Sequence, residues 1–559
     1  MRSIAAPPPL IPARDFAGGV TFEDPVLSPD GKAIAAEYQN GNRRLLVIHE
    51  VVGGGEKGTR SFDLGEAEIN WTRWPDDGHV VVSLRQMAKI AGVDLSLPQD
   101  RLILLNRDGT GMKGLGPLRA SLSADDVIYW APDGSYLLLN VARSLFEWPA
   151  VVRVDLPSGN LTTLQKPRAG TSLWVADSQG VVVAGIGFFG SRLKVIYRPT
   201  PASPWATALR YRLDSDEADP VYIAKIDGLT QRGHVVSRHG GDRWGLYEYD
   251  FRTKQFGAPL FENPEYDLAD YDYDNNGALR WVSHIEDRTR FTWMDAANKA
   301  FYDDLGKAVP DKTLTVASTS ASGEVRLVFA SSATDPGSYY YYTADSGRMK
   351  LLARANETLA GATLAPTTYT RYTARDGVAI PAYLTMPVGR EPSALPLIVM
   401  PHGGPFVRDD GSFDFLAQYL ANRGYVVLQP NFRGSIGYGR KFEELGYGEF
   451  GKAMQDDVDD GVSWLVGAGK VDPARVCIVG WSYGGYVAQV AAFRNPGTYR
   501  CAASVAGISD LAAMIRYDRR FMWGSNFRKW RAKVQGDAST RELKAVSALT
   551  QVSGIRVPL

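Results

Sequence analysis

The chain has 559 residues, enough for two or more domains, and 45% of them are apolar, which excludes disorder as its main state. Lys+Arg and Asp+Glu both number 62, so the net charge is zero and the basic excess that a nucleic-acid partner demands is missing. No run of about 18 apolar residues occurs, so no membrane span is expected.

The first six residues, Met1-Arg2-Ser3-Ile4-Ala5-Ala6, lead into Pro7-Pro8-Pro9 without the apolar core of a signal peptide. The expectation is a cytoplasmic protein, or a periplasmic or secreted one if an upstream leader was lost. Residues 1–24 read as an N-terminal extension.

Residues 25–360 carry a repeat. Its punctuation is a turn ending in glycine: Ser28-Pro29-Asp30-Gly31, Asp76-Asp77-Gly78, Ala131-Pro132-Asp133-Gly134, Asp177-Ser178-Gln179-Gly180, Gln231-Arg232-Gly233, Asn275-Asn276-Gly277 and Ala321-Ser322-Gly323. Pro and Asp set such turns, and Gly supplies a positive φ. An apolar strand follows each turn, as in Ala33–Tyr38 and Tyr136–Val141, and a second comes later, as in Leu45–His49 and Val151–Leu156. The glycines stand 47, 56, 46, 53, 44 and 46 residues apart. Several strands per unit at that period predict a β-propeller, and seven turns predict seven blades. The even spacing disfavours a large sandwich of ordinary hairpins. A propeller has no chemistry of its own; its channel and rim can bind a partner or restrict access to a neighbouring site. The run Tyr339-Tyr340-Tyr341-Tyr342 reads as strand packing.

From residue 361 to 559 strands alternate with helices, which implies a parallel sheet. Leu397–Met400 and Tyr425–Leu428 read as buried strands. Met454, Val458, Val462 and Leu465 line one face of a helix. Val476–Val479 is a strand that runs into Gly480-Trp481-Ser482-Tyr483-Gly484, and a helix follows. Strand, Gly-x-Ser-x-Gly turn and helix form a nucleophile elbow, which lifts a serine hydroxyl above the sheet at a helix N-terminus. Ser482 is therefore the candidate nucleophile. The loop His402-Gly403-Gly404-Pro405 follows the Leu397–Met400 strand, where the second half of an oxyanion hole is expected. His402 itself reads as a loop residue rather than as the base.

Cys501–Val505 reads as one more strand, and Ile555–Leu559 as the start of another. Cys477 and Cys501 lie in apolar runs and read as two inert core thiols. No metal-ligand spacing occurs, and neither a metal nor another cofactor is expected. A serine hydrolase of this type needs an acid and then a histidine after the serine. All six histidines precede Ser482: His49, His79, His234, His239, His284 and His402. Asp510, Asp518 and Asp537 follow it but read as surface or turn carboxylates.

Several stretches resemble the prolyl oligopeptidase family of serine peptidases, above all its acylaminoacyl-peptidase and dipeptidyl-aminopeptidase-like branch. They are Arg375-Asp376-Gly377, His402-Gly403-Gly404-Pro405, Asn431-Phe432-Arg433-Gly434-Ser435 with Gly437-Tyr438-Gly439, Asp456-Asp457-Val458 and Gly480-Trp481-Ser482-Tyr483-Gly484-Gly485-Tyr486. The resemblance implies a seven-bladed propeller before an α/β-hydrolase domain, with Ser482 as nucleophile. It implies the backbone N–H groups of Tyr483 and Gly404 as oxyanion donors. It also implies short peptides as substrates, with folded proteins excluded by the propeller.

Two departures stand out. Dipeptide-releasing members bind the substrate's amino terminus with an adjacent Glu-Glu pair in the propeller region, whereas the only such pair here is Glu443-Glu444, in the second domain. The chain also stops inside the stretch where the family continues toward its triad acid and histidine. The expectation is a C-terminally truncated hydrolase domain, inactive or nearly so as it stands. The alternatives are a non-catalytic binding protein on the same two domains and an esterase on the same fold. The sequence leaves oligomeric state open, a homo-oligomer included.

Overall fold

Seven small antiparallel sheets succeed one another among the described residues between Phe22 and Arg354, six of four strands and one of three. In the computed structural model of the chain, the structure describes residues 6–17, 21–40, 43–52, 55–89, 96–117, 123–144, 147–156, 158–189, 192–212, 220–228, 230–274, 277–522 and 524–559. Each sheet is a blade whose strands pair in chain order, so the propeller is seven-bladed, as the repeat predicts. The strands legible in the sequence are the second and third of each blade. In blades 1 and 3 they are largely buried on both faces: Ala33, Ile34, Ala35 and Ala36 of blade 1 and Leu137, Leu138 and Leu139 of blade 3 are wholly inaccessible.

Gly31, Gly134, Gly180 and Gly277 join the first and second strands of their blades and pack against the preceding blade. At Gly134, φ is +71°, and a Cβ there would lie 2.4 Å from the carbonyl oxygen of Pro75, so no other residue fits. Two of the expected positive φ values fall elsewhere. In blade 5 Gln231 takes the left-handed conformation (φ 58°), and Gly233 lies inside the strand Arg232–Ser237. Gly78 is not left-handed, because Asp76 Oδ1 accepts its N–H and closes the turn. Asn275 and Asn276 lie outside the described residues.

Blade 7 closes the ring on blade 1: Leu27 N–H donates to Ser318 Oγ (2.9 Å), Ala321 N–H to Pro29 O (2.8 Å) and the Tyr341 hydroxyl to Gly31 O (3.1 Å). In blade 6 a helix, Ala296–Ala308, follows the third strand, and Tyr302 stacks on Trp293 with ring centroids 3.7 Å apart.

The second domain is a six-stranded sheet built from β1 (Thr367–Thr373), β2 (Ala379–Thr385), β3 (Leu395–Val399), β4 (Val426–Pro430), β5 (Val471–Trp481) and β6 (Cys501–Val505), in the order β1-β2-β4-β3-β5-β6. The last four are mutually parallel; β1 and β2 join antiparallel. Helices α1 (Phe415–Asn422), α2 (Ala453–Gly467) and α3 (Tyr483–Arg494) flank it. Met454, Val458, Val462 and Leu465 of α2 are buried in the core, as their spacing predicts. This is the α/β-hydrolase arrangement. No helix among the described residues is long and apolar enough to cross a membrane.

Two readings are corrected. Cys477 and Cys501 are not free thiols: they form a disulfide, because the parallel register of β5 and β6 sets them directly opposite with Cα atoms 4.8 Å apart. Ile555–Leu559 forms no strand; its one contact of that kind is the Ala502 N–H donating to Pro558 O (2.9 Å). Pro558 has no N–H with which to continue a ladder.

The hydrolase domain rests on the turns between second and third strands of blades 5, 6 and 7. Arg440 N–H donates to Asp242 O, the Arg408 guanidinium donates to Ile285 O and Glu286 O (3.0 Å each), and Gln418 Nε2 donates to Ala333 O (2.9 Å). The leading segment crosses to this domain as well, where Ile11 N–H donates to Asn422 Oδ1 (2.9 Å).

Candidate active site

Ser482 sits between β5 and α3 with φ 54° and ψ −117°, a conformation that costs a non-glycine residue about 1–3 kcal/mol. Close packing holds it there. Its N–H donates to Val505 O at the end of β6 (2.9 Å), and its carbonyl accepts the Tyr486 N–H as the first turn of α3 begins (3.0 Å). The flanking glycines are sterically required. A Cβ on Gly480 would stand 2.3 Å from the backbone of Gly484, and one on Gly484 would stand 2.1 Å from Pro401 O. The side chain of Ser482 is exposed.

The loop after β3 lies against this elbow. A Cβ on Gly403 would be 3.6 Å from Ser482 Cβ, ordinary van der Waals contact, so the loop lies directly against Ser482. Gly404 has φ +103° and is exposed beside it. Tyr483 opens α3, where the first amide N–H groups have no intrahelical acceptor and carry the positive end of the helix dipole. Its ring is fully buried, its hydroxyl 3.3 Å from Met454 Sδ, which fixes the backbone on which that N–H rides. The structure thus sets the Gly403–Gly404 loop against Ser482, with Tyr483 next in the chain at the start of α3.

His402 is held away from a base's task. Its ring stacks on Phe432 with centroids 4.3 Å apart. Nδ1 is 2.8 Å from Gly403 O, and since a carbonyl only accepts, Nδ1 carries the proton. Nε2 lies 2.9 Å from the Ser435 hydroxyl, which itself donates to Phe432 O (2.7 Å). Burial pushes the ring down to about 4, so it stays neutral near pH 7. The other five histidines lie in the propeller blades. Asp510 caps the helix Leu511–Asp518 by accepting the Ala513 N–H (2.9 Å), Asp518 accepts the Trp530 indole N–H (2.8 Å), and Asp537 is exposed.

The structure adds a framework of which the sequence showed only the pieces. Arg433 forms charge-assisted bonds to Asp457 and Asp376, and Arg375 does so to Asp456 and Asp460. Three separated motifs therefore meet behind the loop that carries Ser435. Their recurrence as short charged motifs was the available signal; their pairing was not. The Glu443-Glu444 pair is committed elsewhere: Glu443 to Arg238, Lys533 and the Tyr447 hydroxyl, Glu444 to Arg440.

Comparison with known proteins agrees with this geometry. The family model described as prolyl oligopeptidase family matches residues 411–559. A dipeptidyl aminopeptidase BIII of Pseudoxanthomonas mexicana is 29% identical over 435 residues, covering 74% of this chain and 61% of the relative. A dipeptidyl peptidase family member 6 of Caenorhabditis elegans is 33% identical over 372 residues, covering 62% of this chain and 49% of the relative. The chain thus spans about half to three fifths of the length of these relatives. A solved puromycin-hydrolyzing peptidase of Mycobacterium tuberculosis superposes with a TM-score of 0.71 at 19% identity, covering 99% of this chain and 87% of that one, which establishes the shared fold.

Proposed function

We propose that this chain belongs to the prolyl oligopeptidase family and is a serine peptidase hydrolysing short peptides through an acyl-enzyme on Ser482. The observation that carries the reading is the exposed, backbone-strained Ser482 at the N-terminus of α3, against Gly403 and Gly404. In this reading the hydroxyl attacks a peptide carbonyl, and the N–H groups of Tyr483 and Gly404 stabilise the oxygen as it becomes negative. The amine leaves, and water hydrolyses the ester. The propeller beside the hydrolase domain supports restriction to short, unfolded chains.

An alcohol attacks slowly unless a base takes its proton. His402 is committed to Gly403 and Ser435, and the other histidines of this sequence belong to the blades. The base that Ser482 calls for is therefore not one of these six histidines. The Cys477–Cys501 disulfide supports an oxidising compartment over the cytoplasm.

Titration with a fluorophosphonate tests the role of Ser482. The expected result is stoichiometric labelling that Ser482→Ala abolishes. Labelling at another residue, or none after prolonged exposure, overturns the nucleophile and leaves the binding-protein alternative. Turnover of an N-acyl-peptide against a p-nitrophenyl ester tests the substrate; strong preference for the ester overturns the peptidase reading.

A further inference from the structure

At the propeller face turned away from the hydrolase domain, the innermost strands of the blades end around a cavity of about 470 Å³. That size lies within the range of small-ligand sites. Its walls are strongly aromatic, with Trp74, Tyr129, Trp130 and Tyr273, and two cations line it, Lys225 and Arg73, the last residue of the strand Glu68–Arg73.

Arg73 lies with its guanidinium carbon 4.7 Å from the centroid of the Trp130 ring. Among the described residues it has neither a hydrogen-bond acceptor nor a carboxylate partner. The other cation of the cavity, Lys225, donates to Gly277 O. The carboxylates that line it serve their own turns: Asp177 Oδ1 accepts the N–H groups of Gln179 and Val181, and Asp274 Oδ1 accepts that of Ala278. Desolvation alone acts on the Arg73 guanidinium and pushes it down, so no carboxylate is near enough to compensate. A half-buried cation without a counter-charge is costly to keep. Stacked on an indole, it is oriented while its N–H donors stay available for a bidentate acceptor.

We propose that this channel mouth is a carboxylate-binding site, with Arg73 as the receptor and the aromatic walls as the seat for an apolar body, and that its ligand is the C-terminal end of a short peptide. The choice of a peptide, though not the site, rests on the peptidase reading above. The free C-terminus is the one carboxylate that every unblocked linear peptide carries, and the aromatic walls suit its terminal side chains.

The test uses the full chain carrying Ser482→Ala, so that nothing is turned over. An N-terminally labelled apolar tripeptide is titrated as free acid and as amide by fluorescence anisotropy at low salt. The acid is expected to bind about tenfold more tightly, and Arg73→Gln to abolish the difference while Arg73→Lys keeps part of it. Equal binding of acid and amide, or a difference that survives Arg73→Gln, overturns the site. Inorganic phosphate that competes as well as the peptide acid overturns the peptide as ligand. Since Arg73 has no ion-pair partner among the described residues, Arg73→Gln is expected to melt no lower than its parent. If it melts lower, the Arg73→Lys chain decides by keeping or losing the preference for the acid. Fluorophosphonate labelling of the Ser482 chain reports separately: labelling without carboxylate binding removes only the channel site, and binding without labelling removes only the nucleophile.

Discussion

Arg433 and Asp457 form a bidentate pair inside the hydrolase domain, Nε to Oδ2 at 2.8 Å and Nη2 to Oδ1 at 2.7 Å, with side chains 7% and 0% exposed. The Arg433 backbone N–H donates to the same carboxylate (2.9 Å), so Asp457 on α2 grips both ends of one residue. Two residues on, Ser435 contacts His402 Nε2 (2.9 Å), and the residue after His402, Gly403, borders Ser482. The pair therefore braces the loop that carries Ser435, which reaches His402 and the Gly403–Gly404 turn. Asp457→Ala leaves a buried guanidinium without its main counter-charge and is expected to cost about 3–5 kcal/mol in urea unfolding. Joint replacement by Arg433→Met and Asp457→Leu is expected to recover much of that stability, because it removes both desolvated charges. Slower fluorophosphonate labelling should persist in the double variant, since the loop has lost its anchor.

The elbow glycines give a sharper contrast. A methyl group on Gly484 meets Pro401 O at 2.1 Å, backbone against backbone, with no flexible side chain to yield. Gly484→Ala is expected to push α3 off the loop after β3, costing about 2 kcal/mol or more and abolishing labelling at Ser482. Gly497 is exposed, and a Cβ there meets nothing within 4 Å. Gly497→Ala should stay within about 0.5 kcal/mol of the parent and label normally.

What could be read before the structure follows the same physics. The second and third strands of blades 1 and 3 are largely buried on both faces, so they appear as continuous apolar runs. The outer strand Leu161–Gln165 is largely exposed and has no such signature. The helix Ala296–Ala308 in blade 6 went unread because its apolar contacts are few: Leu305 alone is buried, and Phe301 and Tyr302 only partly so. The elbow was legible because each of its glycines answers a close approach. The disulfide was not, since it depends on the register of two strands whose cysteines stand 24 residues apart. Nor were the partners of Arg433, which are set by tertiary packing of loops from β1, β4 and α2.

That disulfide has a measurable consequence. Closing 24 residues between Cys477 and Cys501 restricts the unfolded chain by about 3 kcal/mol on the loop-entropy estimate. The loop it closes contains the elbow and all of α3, so its loss bears on the site directly. Reduction with dithiothreitol, and Cys477→Ala with Cys501→Ala, are each expected to lower the unfolding midpoint by a similar amount. A double-alanine chain with an unchanged midpoint in urea would show that the cross-link adds no stability.

Asp409, five residues beyond Gly404, links stability to pH. Its backbone is held by the Asn431 side chain, which accepts its N–H at 2.8 Å and donates to its carbonyl at 3.0 Å. Its carboxylate Oδ2 is sealed from solvent without a hydrogen-bond partner among the described residues. Burial above all, then the neighbouring Asp414 and Asp410, raise this carboxyl to about 7, and Arg408 offsets only part of the rise. A carboxyl raised on folding stabilises most when protonated in both states, and that contribution is lost as pH climbs from about 4 through 7. Asp409→Asn removes the titration while keeping the shape. The variant should therefore gain stability over its parent at pH 8, on the order of 1–2 kcal/mol, and little at pH 4. Thermal melts of both chains across that range measure it; a gain of the same size at pH 4 and pH 8 would assign the effect to packing instead of charge.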